Sequence, residues 1–116
     1  MSGRLIKGIL TPFVIPLDSN NRINEPELLR YIAWLISKGI HGFFPNGSTG
    51  EFTRFTYEER RCITVIVAKE ARERAFIVAG AAEVNVEQVL EACSYYKKLK
   101  CTVAGLCSPY VTTSYS

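Results

Sequence analysis

Three helix-start motifs at regular spacing constrain the fold of this chain more than any other sequence feature. Each motif has a capping side chain followed three residues later by Glu or Gln, and the pairs are Asn24 with Glu27, Thr56 with Glu59, and Asn85 with Gln88. Such pairs satisfy free backbone amides at a helix N-terminus. The capping positions are 32 and 29 residues apart, which is the length of one strand, one helix and two loops. The spacing predicts repeated strand–helix units.

Short apolar runs around these motifs predict the strands. They are rich in Val, Ile and Phe and cover residues 9–14, 42–44, 75–79 and 103–107. The runs are nearly continuous rather than alternating, which is typical of strands buried on both faces of a parallel sheet. The order βαβαβαβ follows, with right-handed crossovers. Two α/β architectures are compatible with this order: an open doubly wound sheet, and part of a (β/α)₈ barrel.

Apolar residues at helical spacing predict which face of each helix is buried. The expected buried residues are Leu28, Ile32, Leu35 and Ile36 in the first helix, Ile63, Ile66 and Val67 in the second, and Val89, Leu90 and Cys93 in the third. Cys62 and Cys93 fall on these faces, so we expect both thiols in the core. Gly39 follows the first helix, where a glycine can end it in a left-handed conformation.

Composition excludes several functional classes. The chain has 116 residues, 47% hydrophobic and 22% charged, as in an ordinary globular domain. Its net charge of +3 comes from Lys and Arg spread along the sequence, which gives no basis for nucleic-acid or membrane binding. The four cysteines form no Cys-x-x-Cys pair and His41 is the only histidine, so neither a zinc site nor a disulfide framework is expected. The sequence has no P-loop motif and no dinucleotide-binding glycine motif, and no metal or diffusible cofactor is expected. We expect a cytoplasmic protein with reduced thiols.

The loop after the second predicted strand is the strongest candidate for a binding site. Two glycines, Gly47 and Gly50, flank two hydroxyl residues, Ser48 and Thr49. Ligands of parallel α/β folds bind at the carboxyl ends of the strands. Successive backbone amides in such a turn can bind an anion, and the hydroxyl groups add donors. The composition favours a carboxylate or phosphate site, and the alternative is an ordinary Gly/Ser/Asn turn.

A family resemblance becomes specific at this loop. Residues 47–51, Gly-Ser-Thr-Gly-Glu, resemble the G-[ST]-T-G-E signature of the dihydrodipicolinate synthase/N-acetylneuraminate lyase family. Further similar segments occur in family order along nearly the whole chain, at residues 7–18, 22–28, 39–42, 56–60, 78–80 and 108–110. The resemblance implies a (β/α)₈ barrel, of which residues 1–116 would be the N-terminal half of a single domain, with the C-terminal half absent. It also implies a class I aldolase that joins a lysine to a pyruvate-type 2-oxo acid as a Schiff base.

The resemblance also assigns residues. Gly47, Ser48, Thr49 and Gly50 would bind the carboxylate of the 2-oxo acid, and Ser48 would belong to the hydroxyl proton relay. Tyr110 lies in the tyrosine pair that, in some members, extends a ring across a subunit interface to that relay. Ser48 and Tyr110 are therefore the catalytic candidates. The second tyrosine of the pair is replaced by Val111.

The Schiff-base lysine of the family lies on the sixth strand, which would follow residue 116. The lysines present are placed on helices, at helix ends or before the first strand, and they are Lys7, Lys38, Lys69, Lys97, Lys98 and Lys100. A reactive lysine needs a desolvated pocket. We therefore expect this chain alone to be inactive and its full-length form to be a homo-oligomer acting on a small 2-oxo acid.

Three substrate types remain open, corresponding to a dihydrodipicolinate synthase, an N-acetylneuraminate lyase and a 2-keto-3-deoxy sugar acid aldolase. Ser48 and Val111 favour the sugar-acid lyases. The alternatives are a truncated, non-catalytic relative that binds an anion or a protein partner, and an independent flavodoxin-like module. Two further expectations concern single residues: Asn46 would change the polarity of the pocket, and His41 would have a structural role.

Overall fold

The computed structural model describes residues 7–47, 49–71, 74–81 and 86–103. Its four strands are β1 (Leu10–Pro12), β2 (Gly42–Phe44), β3 (Phe76–Ala79) and β4 (Thr102–Val103). All pairings between these strands are parallel, and the sheet order is β1-β2-β3-β4. A doubly wound sheet reverses its strand order at a switch point, and this sheet has no reversal. The order therefore selects the barrel arc from the two predicted architectures.

Within the same residues the helices are α1 (Glu25–Ser37), α2 (Tyr57–Ala71) and α3 (Val86–Lys98), and a 3₁₀ turn covers Phe52–Arg54. Two predicted helix starts are confirmed by their capping bonds. The Asn24 side chain accepts a hydrogen bond from the Glu27 amide at 3.2 Å. Thr56 and Glu59 cap each other, since each backbone amide donates to the other side chain, at 2.8 and 3.1 Å.

The ends of these elements agree with the sequence in most places. Gly39 follows α1 with φ of +98°, so the predicted stop is confirmed. Strand β2 has the predicted bounds, whereas β1 and β3 are shorter than the apolar runs that predict them. The run extends beyond β1 because Phe13 packs into the core after strand pairing has ended. Asn85 and the run after Val103 lie outside the described residues.

The hydrophobic core lies between one face of the sheet and the helices. Phe43 and Ile77 are paired in register and belong to this core, together with Ile32 of α1 and Ile63 of α2. Side chains alternate across a strand, so Phe44 lies on the other face, where it is half-buried. That second face corresponds to the inside of a barrel.

The buried faces of α1 and α2 are largely as predicted. Leu28 and Ile32 are buried in α1, and Leu35 and Ile36 are partly buried. All three expected residues of α2 are buried, namely Ile63, Ile66 and Val67. Arg61 links α2 to α3, because its guanidinium carbon lies 4.1 Å from the centre of the Tyr95 ring, a distance at which a cation is attracted to an aromatic face.

The predicted face of α3 is confirmed only in part. The buried residues are Ala92 and Tyr96, and Val89 and Cys93 lie on the same side of the helix and are partly buried. Leu90 was expected to be buried and is 64% exposed, because its side chain is turned about 100° away from that of Val89. Tyr96 was not predicted as a core residue, and its buried hydroxyl lies 3.5 Å from the Asn46 side-chain Nδ2.

The cysteines also differ from the expectation that helix thiols are buried. Cys62 is exposed and Cys93 is half-buried. Position 62 precedes the buried stripe of α2 by one residue, which turns its side chain about 100° away from Ile63. Among the cysteines that the structure describes, Cys101, which precedes β4, is buried. Burial raises the pKa of the Cys101 thiol to about 11, so this group stays protonated near neutral pH.

Across the part of the chain that the structure describes, no helix is both long enough and apolar enough to span a bilayer.

Candidate functional site

The loop after β2 lies at the carboxyl edge of the sheet, between the ends of β1 and β3. It is held to the end of β3 by a hydrogen bond from the Gly80 amide to the Pro45 carbonyl oxygen, at 3.0 Å. Its turn is closed by a hydrogen bond from the Gly50 amide to the Gly47 carbonyl oxygen, at 3.2 Å. We call residues 47–50 the signature turn. Its location is the edge at which barrels bind their ligands.

Two glycines permit unusually close backbone contacts around the signature turn. A Cβ atom on Gly50 would lie 2.9 Å from the carbonyl oxygen of Phe13, and one on Gly80 would lie 2.7 Å from the carbonyl oxygen of Asn46. Both distances are shorter than side chains tolerate against backbone. Gly47 differs, since its Cβ would make an ordinary contact of 3.5 Å with the Phe44 ring. The loop is therefore clamped from β1 through Gly50 and from β3 through Gly80.

A small cavity opens beside the signature turn. Its volume is about 170 Å³, several times the space of roughly 30 Å³ that a water molecule occupies in the liquid. The lining residues are Val14, Ile15, Thr49, Gly50, Glu51, Arg54 and Phe55. Thr49 is exposed, and no described residue forms a hydrogen bond with its hydroxyl or its backbone amide. The cavity is thus lined by apolar and charged side chains and by one residue, Thr49, with two free donors among the described residues.

Glu51 and Arg54 form one rim of this cavity. Glu51 has a left-handed backbone with φ of 54°, and its carbonyl oxygen accepts a hydrogen bond from the Arg54 amide at 2.9 Å. The two side chains form an exposed ion pair at 3.2 Å. An exposed pair of this kind contributes little to stability. Its consequence is local, because it fixes the direction in which the chain leaves the signature turn.

Arg60 in the first turn of α2 holds the 3₁₀ turn in place. Its guanidinium donates to the carbonyl oxygens of Phe52, at 3.1 Å, and Phe55. It also lies 6.0 Å from the centre of the Phe52 ring. No pattern in the sequence predicts this role, because a basic residue early in a helix resembles any solvated charge.

Asn46 is a second residue whose role the sequence did not reveal. It is 7% exposed, with φ of 65°. Its side-chain Nδ2 donates to the Arg60 carbonyl oxygen at 3.1 Å, to the Thr64 hydroxyl at 3.0 Å and to the Tyr96 hydroxyl at 3.5 Å. The expectation that Asn46 changes the polarity of the pocket is wrong, since its amide faces α2 and α3 and does not line the cavity.

The structure brings together three of the predicted site residues. Gly47, Thr49 and Gly50 share the signature turn. Ser48 and Tyr110 lie outside the described residues, so their catalytic roles stay predictions. His41 lies at the opposite end of the strands, where its Nδ1 atom accepts a hydrogen bond from the Ile9 amide at 2.8 Å. That bond supports a structural role for His41.

The lysines and the metal-binding residue types form no further candidate centre within the described residues. Every lysine of the chain is exposed, and they are Lys7, Lys38, Lys69, Lys97, Lys98 and Lys100. Among the residues that the structure covers, no three His, Cys, Asp or Glu side chains are grouped closely enough to hold a metal ion.

Comparisons with known proteins agree on one family. The model of the Dihydrodipicolinate synthetase family matches residues 5–114. A 4-hydroxy-tetrahydrodipicolinate synthase of Bartonella henselae is 29% identical over 91% of this chain and 36% of its own length. An uncharacterised DapA-like lyase of Thermococcus kodakarensis is 32% identical over 90% of this chain and 36% of its own length. The chain thus spans about a third of the length of these curated relatives.

Solved structures agree on the fold. YagE of E. coli K12, a dihydrodipicolinic acid synthase family protein in complex with pyruvate, superposes with a TM-score of 0.86 and 23% identity, over 96% of this chain and 37% of its own. The N-acetylneuraminate lyase of Fusobacterium nucleatum gives 0.79 and 25% identity, over 93% of this chain and 38% of its own. These neighbours are (β/α)₈ barrels, and the parallel four-strand arc is part of such a barrel. The chain belongs to the dihydrodipicolinate synthetase family, whose members are aldolases and lyases.

Proposed function

We propose that these residues form the carboxylate-binding part of an aldolase or lyase that acts on pyruvate-type 2-oxo acids through a Schiff base. One observation carries this proposal: Thr49 lines a small cavity at the carboxyl edge of the sheet, and its hydroxyl and backbone amide have no hydrogen-bond partner within the described residues. The family membership supports it, as does the pyruvate bound to YagE.

The chemistry of the signature turn suits a carboxylate. Hydrogen bonds from N–H and O–H groups to an ionised carboxylate are shorter and stronger than those between neutral groups. The contacts at Gly50 and Gly80 fix the loop before a ligand arrives, so little ordering is needed on binding. Gly47, Ser48, Thr49 and Gly50 would hold the carboxylate.

The reaction itself needs an electron sink next to the bond that forms or breaks. A protonated imine between a lysine and the 2-oxo acid is a better sink than the ketone. Ser48 would move protons in this reaction, with the Tyr110 ring completing the relay. The compound joined to or released from the 2-oxo acid would be that of one of the three classes named above: a dihydrodipicolinate synthase, an N-acetylneuraminate lyase or a 2-keto-3-deoxy sugar acid aldolase. The full-length form would be a homo-oligomer.

We also propose that residues 1–116 are the N-terminal half of one barrel domain and have no aldolase activity alone. All six lysines are exposed, whereas an imine-forming lysine needs a desolvated site that lowers its pKa. We expect no lysine adduct when the chain is incubated with pyruvate, reduced with borohydride and analysed by mass spectrometry. A full-length family synthase treated in the same way is the positive control. A pyruvate-derived mass on any lysine of the chain would contradict the proposal.

Carboxylate binding is tested separately by titrating the ¹⁵N-labelled chain with pyruvate. We expect the largest amide shifts at Gly47, Thr49 and Gly50, with the dissociation constant rising about tenfold in Thr49→Val, because one hydrogen bond to a charged group is lost. Thr53→Val is the matched control, since Thr53 is exposed on the adjacent 3₁₀ turn and does not line the cavity. Shifts confined to another surface, or equal affinity in the two variants, would rule out this site.

A further inference from the structure

We infer that Asn46 is a positioning residue that sets the conformation of the signature turn for carboxylate binding. The inference rests on the proposed function, because it assigns a role within the same site. Asn46 immediately precedes Gly47, and it does not line the cavity. Any effect on a ligand must therefore pass through the backbone of the turn. Three features of Asn46 support this inference: its backbone conformation, the hydrogen-bond partners of its side-chain amide nitrogen, and its buried side-chain oxygen, Oδ1.

The backbone of Asn46 is left-handed, with φ of 65°. Among residues with a side chain, Asn is one of the few that adopt this conformation readily. The change in direction at Asn46 leads the chain from the end of β2 into the signature turn. The carbonyl oxygen of Asn46 then lies against Gly80, where a Cβ atom would be only 2.7 Å away. The residue is thus fixed at its backbone from the side of β3.

The side chain of Asn46 fixes the same residue from the side of the helices. Its Nδ2 atom donates to the Arg60 carbonyl oxygen and the Thr64 hydroxyl in α2, and to the Tyr96 hydroxyl in α3. Thr64 in turn donates to the Arg60 carbonyl oxygen at 3.2 Å. The acceptors are therefore held to one another as well as to Asn46. These hydrogen bonds hold the residue before the signature turn in a fixed position relative to α2 and α3.

The carbonyl oxygen of the same side chain shows that this arrangement has a cost. Asn46 Oδ1 is buried and has no hydrogen-bond partner among the described residues. Leaving a buried acceptor unpaired costs about 1–3 kcal/mol, a cost that an apolar side chain would avoid. An apolar side chain would supply neither the left-handed backbone nor the hydrogen bonds that the Asn46 amide donates. The need to hold the signature turn in one position explains why an asparagine is present here.

Two substitutions separate these contributions. Asn46→Gly keeps the left-handed backbone accessible and removes the amide. Asn46→Asp keeps the shape of the side chain and replaces its donor by an acceptor. Both should loosen the turn, so we expect the Gly50 amide, which bonds to Gly47, to exchange with solvent at least tenfold faster in the absence of pyruvate. We expect the dissociation constant for pyruvate to rise about tenfold in both variants.

Asn24→Gly is the matched control. It removes an asparagine that caps α1, at a cost in stability of no more than about 1 kcal/mol. It should leave both the Gly50 exchange rate and pyruvate binding unchanged, measured where all variants are fully folded. A merely structural role for Asn46 predicts that Asn46→Gly behaves like Asn24→Gly, and that result would overturn the inference.

The exchange measurement keeps this test independent of the proposed function. If the unsubstituted chain fails to bind pyruvate, the proposed function fails, while the Gly50 exchange rate still decides the role of Asn46. Tyr96→Phe provides a third variant in case the Asn46 variants do not fold, because it removes one acceptor of the Asn46 amide and keeps the buried ring. Faster Gly50 exchange in Tyr96→Phe supports the inference, and an unchanged rate contradicts it.

Discussion

Replacing Gly80 by alanine is expected to lower the free energy of unfolding by about 3 kcal/mol, near the upper end for overpacked sites. The new methyl group would lie 2.7 Å from the Asn46 carbonyl oxygen and 3.1 Å from that of Pro45. Both atoms are backbone, so no side chain can rotate away. The loop must move, and the hydrogen bond from the Gly80 amide to Pro45 must lengthen. We therefore also expect pyruvate binding to weaken strongly.

Urea denaturation of Gly80→Ala and Gly47→Ala measures this effect against a matched control. A methyl group on Gly47 would make only an ordinary contact with the Phe44 ring, and the φ angle of Gly47 is not in the left-handed region. The stability of Gly47→Ala should therefore change by less than about 1 kcal/mol. Equal denaturation midpoints for the two variants would contradict the close approach of Gly80 to the carbonyl oxygens of Asn46 and Pro45.

Phe43→Ala should lower the free energy of unfolding by about 3–5 kcal/mol, the usual cost of removing a buried phenylalanine. Phe43 is fully buried, and its ring meets the Phe13 ring edge to face, with centroids 5.7 Å apart. It lies on the central part of the sheet, paired with Thr11 and Ile77. Its removal would leave a cavity between the sheet and the helices.

The neighbouring residue provides the control for Phe43. Phe44 lies on the opposite face of β2 and is half-buried, so Phe44→Ala should cost about 1 kcal/mol, because less apolar surface leaves contact. Thermal or urea unfolding of both variants gives the comparison, and Phe43→Leu extends it if Phe43→Ala does not fold. A larger loss for Phe44→Ala than for Phe43→Ala would mean that the covered face of the sheet has been assigned incorrectly.

Local signals in the sequence predicted most of the architecture. The reciprocal bonds of Thr56 and Glu59 involve residues three apart, so a short pattern is enough to reveal them. Cap spacing and apolar runs predicted the alternating units, but could not distinguish a barrel arc from a doubly wound sheet. That distinction depends on strand order, which is a property of the packed chain. The family resemblance supplied it, together with the signature turn.

The supporting residues of the site could not be predicted in this way. The Asn46 amide bonds to residues 14, 18 and 50 positions away, and no local pattern encodes these distances. Gly80 is required by a contact with Pro45 and Asn46 that exists only after β2 and β3 have paired. Tyr96 was missed in the buried face of α3 for a related reason, since it is buried where its hydroxyl meets the Asn46 side chain. Long-range polar partners decided each of these positions.

The link between Asn46 and Tyr96 has a practical consequence for attempts to change, by directed evolution, which ligand the cavity beside the signature turn binds. Val14 and Ile15 line the cavity and make none of the hydrogen bonds that hold the loop, so they are suitable positions for a randomised library. Tyr96 is in α3 and does not line the cavity, so a library design based only on proximity to the cavity would treat it as neutral. Holding Asn46 and Tyr96 constant should preserve the loop conformation in a larger share of the variants.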